Sequence, residues 1–260
     1  MADEREQQLP RQRLLLGEWA VDVRGAGPRG GPNAGRPLVL VHGIGMSGDY
    51  FLPFARVMAR QRRVYLLDLP GYGSTPKPPE PLSVPQLADA ARTAVARLAL
   101  RNPVLVGQSM GCQVVADAVA ADPTSCAGYI LIGPTVDPAA HGTVRMASRL
   151  GRDILRESAG NNAVVLRDYL RMGPLRYLRT SRFMLADRIE ETIGGCAAPG
   201  LVVRGGRDPI APRAWVDQLA RLAPDAVTAE VPGAAHNVQH THPDQLARAC
   251  AAFLSRVAPI

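Results

Sequence analysis

A serine between two glycines is the residue in this chain best suited to act as a nucleophile. The segment Gly107-Gln-Ser109-Met-Gly111 follows the apolar run Val104–Val106 and precedes a helix-like stretch that begins at Cys112. In a G-x-S-x-G turn between a strand and a helix, a strained backbone exposes the serine hydroxyl above the strand end. Glycines are needed there because side chains would collide with the neighbouring strand and helix. The pattern predicts Ser109 as a nucleophile, and the alternative is an incidental serine in a glycine-rich turn.

A serine hydroxyl is a weak nucleophile at neutral pH and needs an adjacent base. We predict His236 as this base, because the Pro-Gly pair in Val231-Pro-Gly-Ala-Ala-His236 makes a loop that can return the ring to the edge of a sheet. His240 and His242 lie nearer the closing helix and are predicted as surface or capping residues. His42 directly follows an earlier strand and is predicted to hold its own loop by hydrogen bonds.

The imidazole in turn needs a carboxylate to orient it. Asp208 follows the apolar run Leu201–Val203 and is the favoured candidate. Asp137 follows the run Tyr129–Ile132, reaches the same sheet edge and stays open as the alternative. Because both aspartates precede a proline, each is also a plausible turn former. With Asp208 the chain order is Ser, Asp, His, which is the order expected for a serine on a strand-turn-helix element.

Acyl chemistry at a serine also needs donors for the tetrahedral oxyanion. The backbone N–H of Met110, directly after the nucleophile, is one expected donor. The second is expected from the loop His42-Gly-Ile-Gly-Met46, with the N–H of Ile44 favoured and that of Gly45 next. Residues beside these donors are expected to contact the substrate: Gly43, Gly45 and Gln108.

The candidates need a scaffold whose strand ends meet at one edge. Short continuous apolar runs, typical of strands buried on both faces, alternate with helix-like stretches. After an opening hairpin (Leu14–Leu16 and Trp19–Val23), the predicted strands are Leu38–Val41, Val64–Leu67, Val104–Val106, Tyr129–Ile132, Leu201–Val203 and Ala226–Val231. The predicted helices are Tyr50–Arg60, Val84–Leu100, Cys112–Ala121, Ala214–Leu222 and Pro243–Val257. This spacing predicts an α/β protein with a mostly parallel sheet and helices on both faces.

One segment breaks the alternation. Residues 138–191 have no strand pattern, and their helix-like parts are separated by Gly-Asn-Asn (160–162) and Gly173-Pro174. We interpret 138–191 as a helical insertion over one end of the sheet and assign 1–137 and 192–260 to the core. Its apolar side chains either line an acyl pocket or pack the insertion onto the sheet. Its arginines either meet an anionic substrate or a carrier's phosphopantetheine arm, or form a solvated helix face.

Composition excludes several classes of protein. The chain has 260 residues, of which 47% are hydrophobic and 20% charged, so a disordered or fibrous protein is excluded. The net charge is +7, but no nucleic-acid motif accompanies it, and we expect no nucleic-acid partner. No apolar run reaches bilayer length and the N-terminus lacks a secretory core, so we expect a cytoplasmic protein without a membrane partner. The four cysteines lack metal-ligand spacing and are predicted as buried thiols of a reducing compartment, so no metal is expected.

The motifs together resemble the α/β-hydrolase family. They occur in the family's order and spacing over nearly the whole chain: His42-Gly-Ile-Gly, Asp68-Leu-Pro-Gly-Tyr-Gly-Ser, Gly107-Gln-Ser-Met-Gly, Gly206-Arg-Asp208 and Gly233-Ala-Ala-His236. The resemblance implies an eight-stranded sheet with an antiparallel second strand, a helical lid inserted after strand six, and a triad of Ser109, Asp208 and His236. Cys112 and Ala235 stand where many relatives have glycine, and both are small enough to keep the geometry.

The resemblance also implies an activity. It points to hydrolysis of a small-molecule carboxylic ester, lactone or thioester through an acyl-enzyme on Ser109, without a cofactor. A C–C bond hydrolase, or a biosynthetic acyltransferase or cyclase with the same triad, remains an alternative. A non-catalytic small-molecule receptor on the same fold is the alternative of another class. The sequence leaves a monomer and a homodimer equally open.

Overall fold

One eight-stranded sheet carries the apolar runs of the chain. The computed structural model describes residues 9–28, 35–138 and 159–260. The strands are Arg11–Leu16 (β1), Trp19–Ala26 (β2), Gly35–Val41 (β3), Arg62–Asp68 (β4), Val104–Gln108 (β5), Gly128–Ile132 (β6), Gly200–Gly205 (β7) and Ala226–Val231 (β8). Their order across the sheet is β1-β2-β4-β3-β5-β6-β7-β8. The α/β-hydrolase fold expected from the sequence is therefore confirmed.

Strand β2 runs against the other strands of this sheet. It pairs antiparallel with both β1 and β4, while every pairing from β4 onward is parallel. This confirms the mostly parallel sheet and the antiparallel second strand. The parallel strands end at one edge, so the loops after β3, β5, β6, β7 and β8 all reach the same side of the molecule.

Helices cover both faces of the sheet. Among the described residues they are Leu52–Met58 (α1), Val84–Arg97 (α2), Met110–Ala121 (α3), Ala159–Met172 (α4), Pro174–Ala186 (α5), Ile189–Thr192 (α6), Arg213–Leu222 (α7), Val238–Thr241 (α8) and Pro243–Val257 (α9). The predicted helix at 50–60 is a 3₁₀ turn, Gly48–Phe51, followed by α1. The helix predicted to reach Leu100 ends at Arg97, and two residues later Ala99 has a φ of +51°.

Alternate residues of β3 show why its run is apolar throughout. Leu38 and Leu40 pack on one face with α1 and α9. Val39 and Val41 pack on the other face with α2, α3 and α7. Successive side chains of a strand point to opposite faces, so a strand covered on both sides needs apolar residues at every position.

Helices α4 and α5 lie between β6 and β7, within the predicted insertion at 138–191. The first part of that insertion, residues 139–158, lies outside the described residues. Helix α6 spans the predicted boundary between residues 191 and 192. The division into a core (1–137 and 192–260) and an insertion therefore stays a prediction.

Candidate active site

Ser109 occupies a strained turn between β5 and α3. Its φ is +56° and its ψ is −123°, a conformation that residues with a side chain rarely adopt. Its N–H donates a 3.0 Å hydrogen bond to the carbonyl oxygen of Ile132, the last residue of β6. Ser109 therefore lies at the carboxyl edge of the sheet and directly before α3, where the helix dipole favours negative charge.

Two glycines allow the strand and the helix of this turn to approach closely. A Cβ on Gly107 would lie 2.2 Å from the carbonyl oxygen of Gly111, and a Cβ on Gly111 would lie 2.3 Å from the carbonyl oxygen of Val41. Both separations are far shorter than a carbon–oxygen contact allows. The steric reason for the two glycines is confirmed, while the nucleophilic role of Ser109 stays a prediction.

His236 and Asp208 are hydrogen-bonded although 28 residues separate them. Nδ1 of His236 lies 2.9 Å from Oδ2 of Asp208. The other carboxylate oxygen, Oδ1, accepts the backbone N–H groups of Ile210 at 2.7 Å and Ala211 at 3.1 Å. Burial by itself would raise the pKa of Asp208, but the His236 ring and these backbone donors outweigh burial and hold the pKa below its usual value. The carboxylate is thus fixed in its ionised form against the ring.

Gly133 brings the histidine close to the serine turn. It follows Ile132, the residue that accepts the N–H of Ser109. A Cβ on Gly133 would lie 2.9 Å from Nδ1 of His236 and 3.2 Å from Oδ2 of Asp208. The backbone of Ser109 and the side chains of His236 and Asp208 therefore all lie near the end of β6. The only signal for Gly133 in the sequence was its place after an apolar run and before a proline.

The alternative acid, Asp137, is also buried, with 6% of its surface exposed. The carboxylate bonded to Nδ1 of His236 is nevertheless that of Asp208. The geometry favours Asp208, and the catalytic role of either aspartate stays a prediction.

The loop after β3 packs against the serine turn. A Cβ on Gly43 would lie 3.0 Å from Cβ of Ser109 and 2.8 Å from Oε1 of Gln108. The N–H of Met46 donates a 3.3 Å hydrogen bond to the carbonyl oxygen of Gly43, which closes a turn over residues 43–46. Gly45 has a φ of +74° in this turn. The structure thus brings Gly43 and Gln108 to Ser109, while Gly45 lies in the same turn as Gly43. The contact of these residues with a substrate stays a prediction.

The two predicted oxyanion donors lie on either side of this contact. Ile44 lies within the turn at 43–46, and Met110 is the first residue of α3. Both side chains are buried in the same apolar cluster. Their role as an oxyanion hole stays a prediction.

Residues 38–249 match the model of the alpha/beta hydrolase family. The chain belongs to the alpha/beta hydrolase family. The match begins in β3 and ends within α9, so it includes the serine turn, both aspartates and His236.

Curated relatives of this alpha/beta hydrolase include esterases. The chain is 27% identical over 265 residues to a pimeloyl-[acyl-carrier protein] methyl ester esterase of Xanthomonas campestris, covering 90% of this chain and 98% of that protein. It is 29% identical over 245 residues to a dihydrolipoyllysine-residue acetyltransferase component of an acetoin cleaving system of Pseudomonas putida. That match covers 87% of this chain but only 65% of the Pseudomonas protein.

Solved structures share the fold at lower identity. A bacterial membrane phospholipase A superposes with a TM-score of 0.81 at 19% identity, covering 98% of this chain and 90% of that one. The enol-lactonase of Burkholderia xenovorans LB400 superposes with a TM-score of 0.79 at 19% identity, covering 94% of this chain and 100% of that one. At this identity the likeness establishes the fold.

His42 of this alpha/beta hydrolase is a structural residue, as predicted. Its Nδ1–H donates to the carbonyl oxygen of Gly43 at 2.9 Å, and its Nε2 accepts the N–H of Leu69 at 3.1 Å. Burial lowers the pKa of His42, which keeps the ring neutral. Both ring nitrogens are engaged, so the ring anchors the start of the loop.

The two histidines after His236 differ from each other. His242 directly precedes α9, as the capping prediction requires, and its Nδ1 lies 2.9 Å from Oγ1 of Thr241. His240 is half-buried, and its ring stacks on Tyr50 with centroids 5.6 Å apart. His240 is therefore only partly at the surface, because its ring packs against Tyr50, and its surface or capping role stays a prediction.

Two tyrosines of the insertion cover the loop after β3. The rings of Tyr169 and Tyr177 are tilted against each other with centroids 4.8 Å apart. A Cβ on Gly45 would lie 2.6 Å from the Tyr169 ring and 3.3 Å from the Tyr177 ring. This contact joins α4 and α5 to the predicted site.

Several arginines in the described part of the insertion are paired with neighbouring groups. Arg176 donates to the carbonyl oxygen of Pro78 at 2.9 Å, and Arg179 donates to Oε2 of Glu80 at 2.8 Å. Arg188 pairs with Glu191. Ion pairs and carbonyl contacts thus engage these side chains, which favours a helix face without substrate contact over the alternative of an anionic substrate.

Neither a cluster of metal ligands nor a helix able to span a membrane occurs in the described part of the chain. Within residues 9–28, 35–138 and 159–260, no three His, Cys, Asp or Glu side chains are grouped to hold a metal ion. None of the helices in those ranges is both long enough and apolar enough to cross a bilayer. All four cysteines are buried and unpaired, as predicted.

Proposed function

We propose that this protein is a serine hydrolase that cleaves a carboxylic ester, lactone or thioester through an acyl-enzyme on Ser109. The observation that carries the proposal is the 2.9 Å contact between His236 and Asp208 beside the strained turn of Ser109. An oriented histidine close to a serine at a helix N-terminus is the arrangement that activates a serine. The esterases among the relatives support an acyl substrate.

The first half of the reaction forms the acyl-enzyme. Oγ of Ser109 attacks the carbonyl carbon of the substrate while Nε2 of His236 takes the hydroxyl proton. Asp208 keeps the other ring proton on Nδ1 and stabilises the imidazolium. The N–H groups of Met110 and Ile44 donate to the oxyanion, which collapses and breaks the bond to the leaving group. His236 returns its proton to that leaving group.

The second half releases the product. Water attacks the acyl carbonyl while His236 takes a proton from the water, and the same two N–H groups hold the oxyanion. Collapse of this intermediate breaks the ester bond to Ser109, and His236 reprotonates the serine. The cycle yields an acid and an alcohol or thiol, and it uses only residues of this chain and water.

Two further features belong to the proposal. Residues 138–191 act as a helical lid over the site, an interpretation that the tyrosine contacts on Gly45 support. The protein is cytoplasmic, because four buried and unpaired cysteines suit a reducing compartment.

A fluorophosphonate probe tests the proposal. The folded protein should gain the mass of the probe on Ser109, and Ser109→Ala should remain unlabelled. Folded wild-type protein that stays unlabelled would indicate a receptor. A panel of p-nitrophenyl esters of graded length, with a lactone, a thioester, a ring-cleavage diketone and an acyl-carrier methyl ester, then identifies the substrate class. Turnover of the diketone alone would replace ester hydrolysis with C–C bond hydrolysis.

A further inference from the structure

An acid of the insertion is buried against the loop that the proposed mechanism uses. Asp168 lies in α4, and only 2% of its side chain is exposed. Its Oδ2 accepts two hydrogen bonds from Ser47, one from the backbone N–H at 3.1 Å and one from Oγ at 2.7 Å. Its Oδ1 lies 3.0 Å from Nε of Arg167 and 3.7 Å from Nη1 of Arg171. Both carboxylate oxygens of Asp168 therefore have partners. Loss of these partners would leave an uncompensated buried charge, so the contact with Ser47 is strongly favoured.

Ser47 directly follows the turn at 43–46 that carries the proposed oxyanion donor Ile44. It also precedes the 3₁₀ turn Gly48–Phe51, and its carbonyl oxygen accepts the N–H of Tyr50 at 3.1 Å. The start of the loop is anchored by both ring nitrogens of His42. Asp168 therefore holds the other end of the same loop.

A series of ion pairs also links α4 to the segment that follows Ser47. Nη2 of Arg167 lies 3.1 Å from Oδ2 of Asp49, and Asp49 also pairs with Arg24. Nη2 of Arg24 lies 3.3 Å from Oδ1 of Asp68, which accepts the N–H of Gly48 at 2.6 Å. The backbone of residues 47–49 is thus held between α4 and the ends of β2 and β4.

Three consecutive residues of α4 contact successive positions of the loop after β3. Arg167, Asp168 and Tyr169 are consecutive, and they contact Asp49, Ser47 and Gly45 respectively. One turn of the insertion helix therefore contacts the loop from Gly45, beside Ile44, to Asp49.

We infer that Asp168 is a positioning residue for the acyl-transfer step, acting through Ser47 on the N–H of Ile44. The inference rests on the proposed function. An oxyanion donor works only if it is aimed at the place where charge develops, and a displacement of about 1 Å can lower the rate about 100-fold. The donor acts on the transition state more than on the ground state, so its displacement lowers kcat while KM changes little.

Substitutions at both ends of the contact test the inference. Asp168→Ala should lower kcat for the best p-nitrophenyl ester about 10- to 100-fold, with KM within about threefold of wild type. Asp168→Asn should recover much of this loss, because the amide oxygen can still accept from Ser47. Ser47→Ala should cost less than Asp168→Ala in wild type, and adding it to Asp168→Ala should cost almost nothing further.

Glu80→Ala is the matched control. It removes the 2.8 Å pair between Arg179 and Glu80, which joins the insertion to the core away from the loop. It should leave kcat and KM unchanged, and a loss equal to that of Asp168→Ala would show that any loosening of the insertion has the same effect and would overturn the inference.

Fluorophosphonate labelling separates this inference from the proposed function. If wild-type Ser109 is not labelled, the proposed function fails. If wild type is labelled and Asp168→Ala is labelled and turns over at the wild-type rate, the positioning role fails. If Asp168→Ala does not fold, Asp168→Asn is compared in the presence and absence of Ser47→Ala. The readouts are again kcat and KM. Additive effects of the two changes would contradict the inference.

Discussion

A histidine ring can take a proton from a serine only if its second nitrogen is held in one protonation state. In this protein the carboxylate of Asp208 holds Nδ1 of His236 at 2.9 Å. The carboxylate is itself immobile, because its other oxygen accepts the N–H groups of Ile210 and Ala211. Asp208, Ile210 and Ala211, which follow β7, thus hold the orientation of a ring that follows β8.

Asp208→Asn should lower kcat by about four orders of magnitude, because an amide neither fixes the correct tautomer nor stabilises the imidazolium. Steady-state kinetics with the best ester measure this effect, and the KM should change little. Asp137→Asn is the control and should stay within a few-fold of wild type. A large loss in Asp137→Asn with normal activity in Asp208→Asn would assign the acid to the other aspartate.

At the scale of elements, the strand-turn-helix around Ser109 is shaped by close backbone approach. A Cβ on Gly107 would lie 2.2 Å from the carbonyl oxygen of Gly111, which leaves no room for any side chain. Because Gly107 lies within β5 and Gly111 within α3, neither can move without disturbing its element. The strain at Ser109 is therefore maintained by the packing on either side of it.

Gly107→Ala should lower the free energy of unfolding by about 3 kcal/mol or more, because the new Cβ meets backbone atoms that cannot move aside. Urea denaturation followed by circular dichroism measures the change. Gly194→Ala is a matched control, since its Cβ would have the carbonyl oxygen of Leu222 as its nearest neighbour at 3.8 Å. It should change stability by less than about 1 kcal/mol. Equal stability of the two variants would show that the turn tolerates a side chain.

At the scale of the whole molecule, a half-buried acid lies near the predicted junction of the insertion and the core. Asp187 follows α5, and its Oδ1 accepts a 2.8 Å hydrogen bond from Nε2 of Gln113 in α3. Burial, assisted by the nearby carboxylates of Asp117 and Glu190, raises the pKa of Asp187 to about 7, although the Gln113 bond opposes the shift. The folded protein therefore favours the neutral acid at this junction.

This raised pKa predicts a dependence of stability on pH. The stability that the neutral Asp187 contributes is complete below about pH 4, where the folded and unfolded forms are both protonated. It is lost as the pH rises to about 7, because the unfolded chain releases the proton earlier than the folded one. Asp187→Asn should therefore become progressively more stable relative to wild type from pH 5 to pH 8.

Urea unfolding at several pH values measures this trend. Asp89→Asn is the control, because Asp89 is exposed on α2 and pairs only with the exposed Arg92 among the contacts described for it. It should leave the slope of stability against pH unchanged. A slope in Asp187→Asn identical to that of wild type would contradict the raised pKa.

Much of this protein follows from local pattern in its sequence. The apolar runs such as Leu38–Val41 predicted the strands, because a strand covered on both faces has no polar position to offer. The glycines at 107 and 111 predicted a tight turn at Ser109, because few other residues permit that approach. The order of serine, aspartate and histidine identified candidates because parallel strands end at one edge.

Only the tertiary structure decided which groups meet at that edge. Asp137 and Asp208 both follow strands and both precede proline, and the packing of the loop at His236 selected Asp208 as its partner. The contact between Asp168 and Ser47 joins residues 121 positions apart in segments without any shared motif. Such contacts depend on how loops and helices approach one another across the sheet, and neither periodicity nor spacing along the chain encodes that approach.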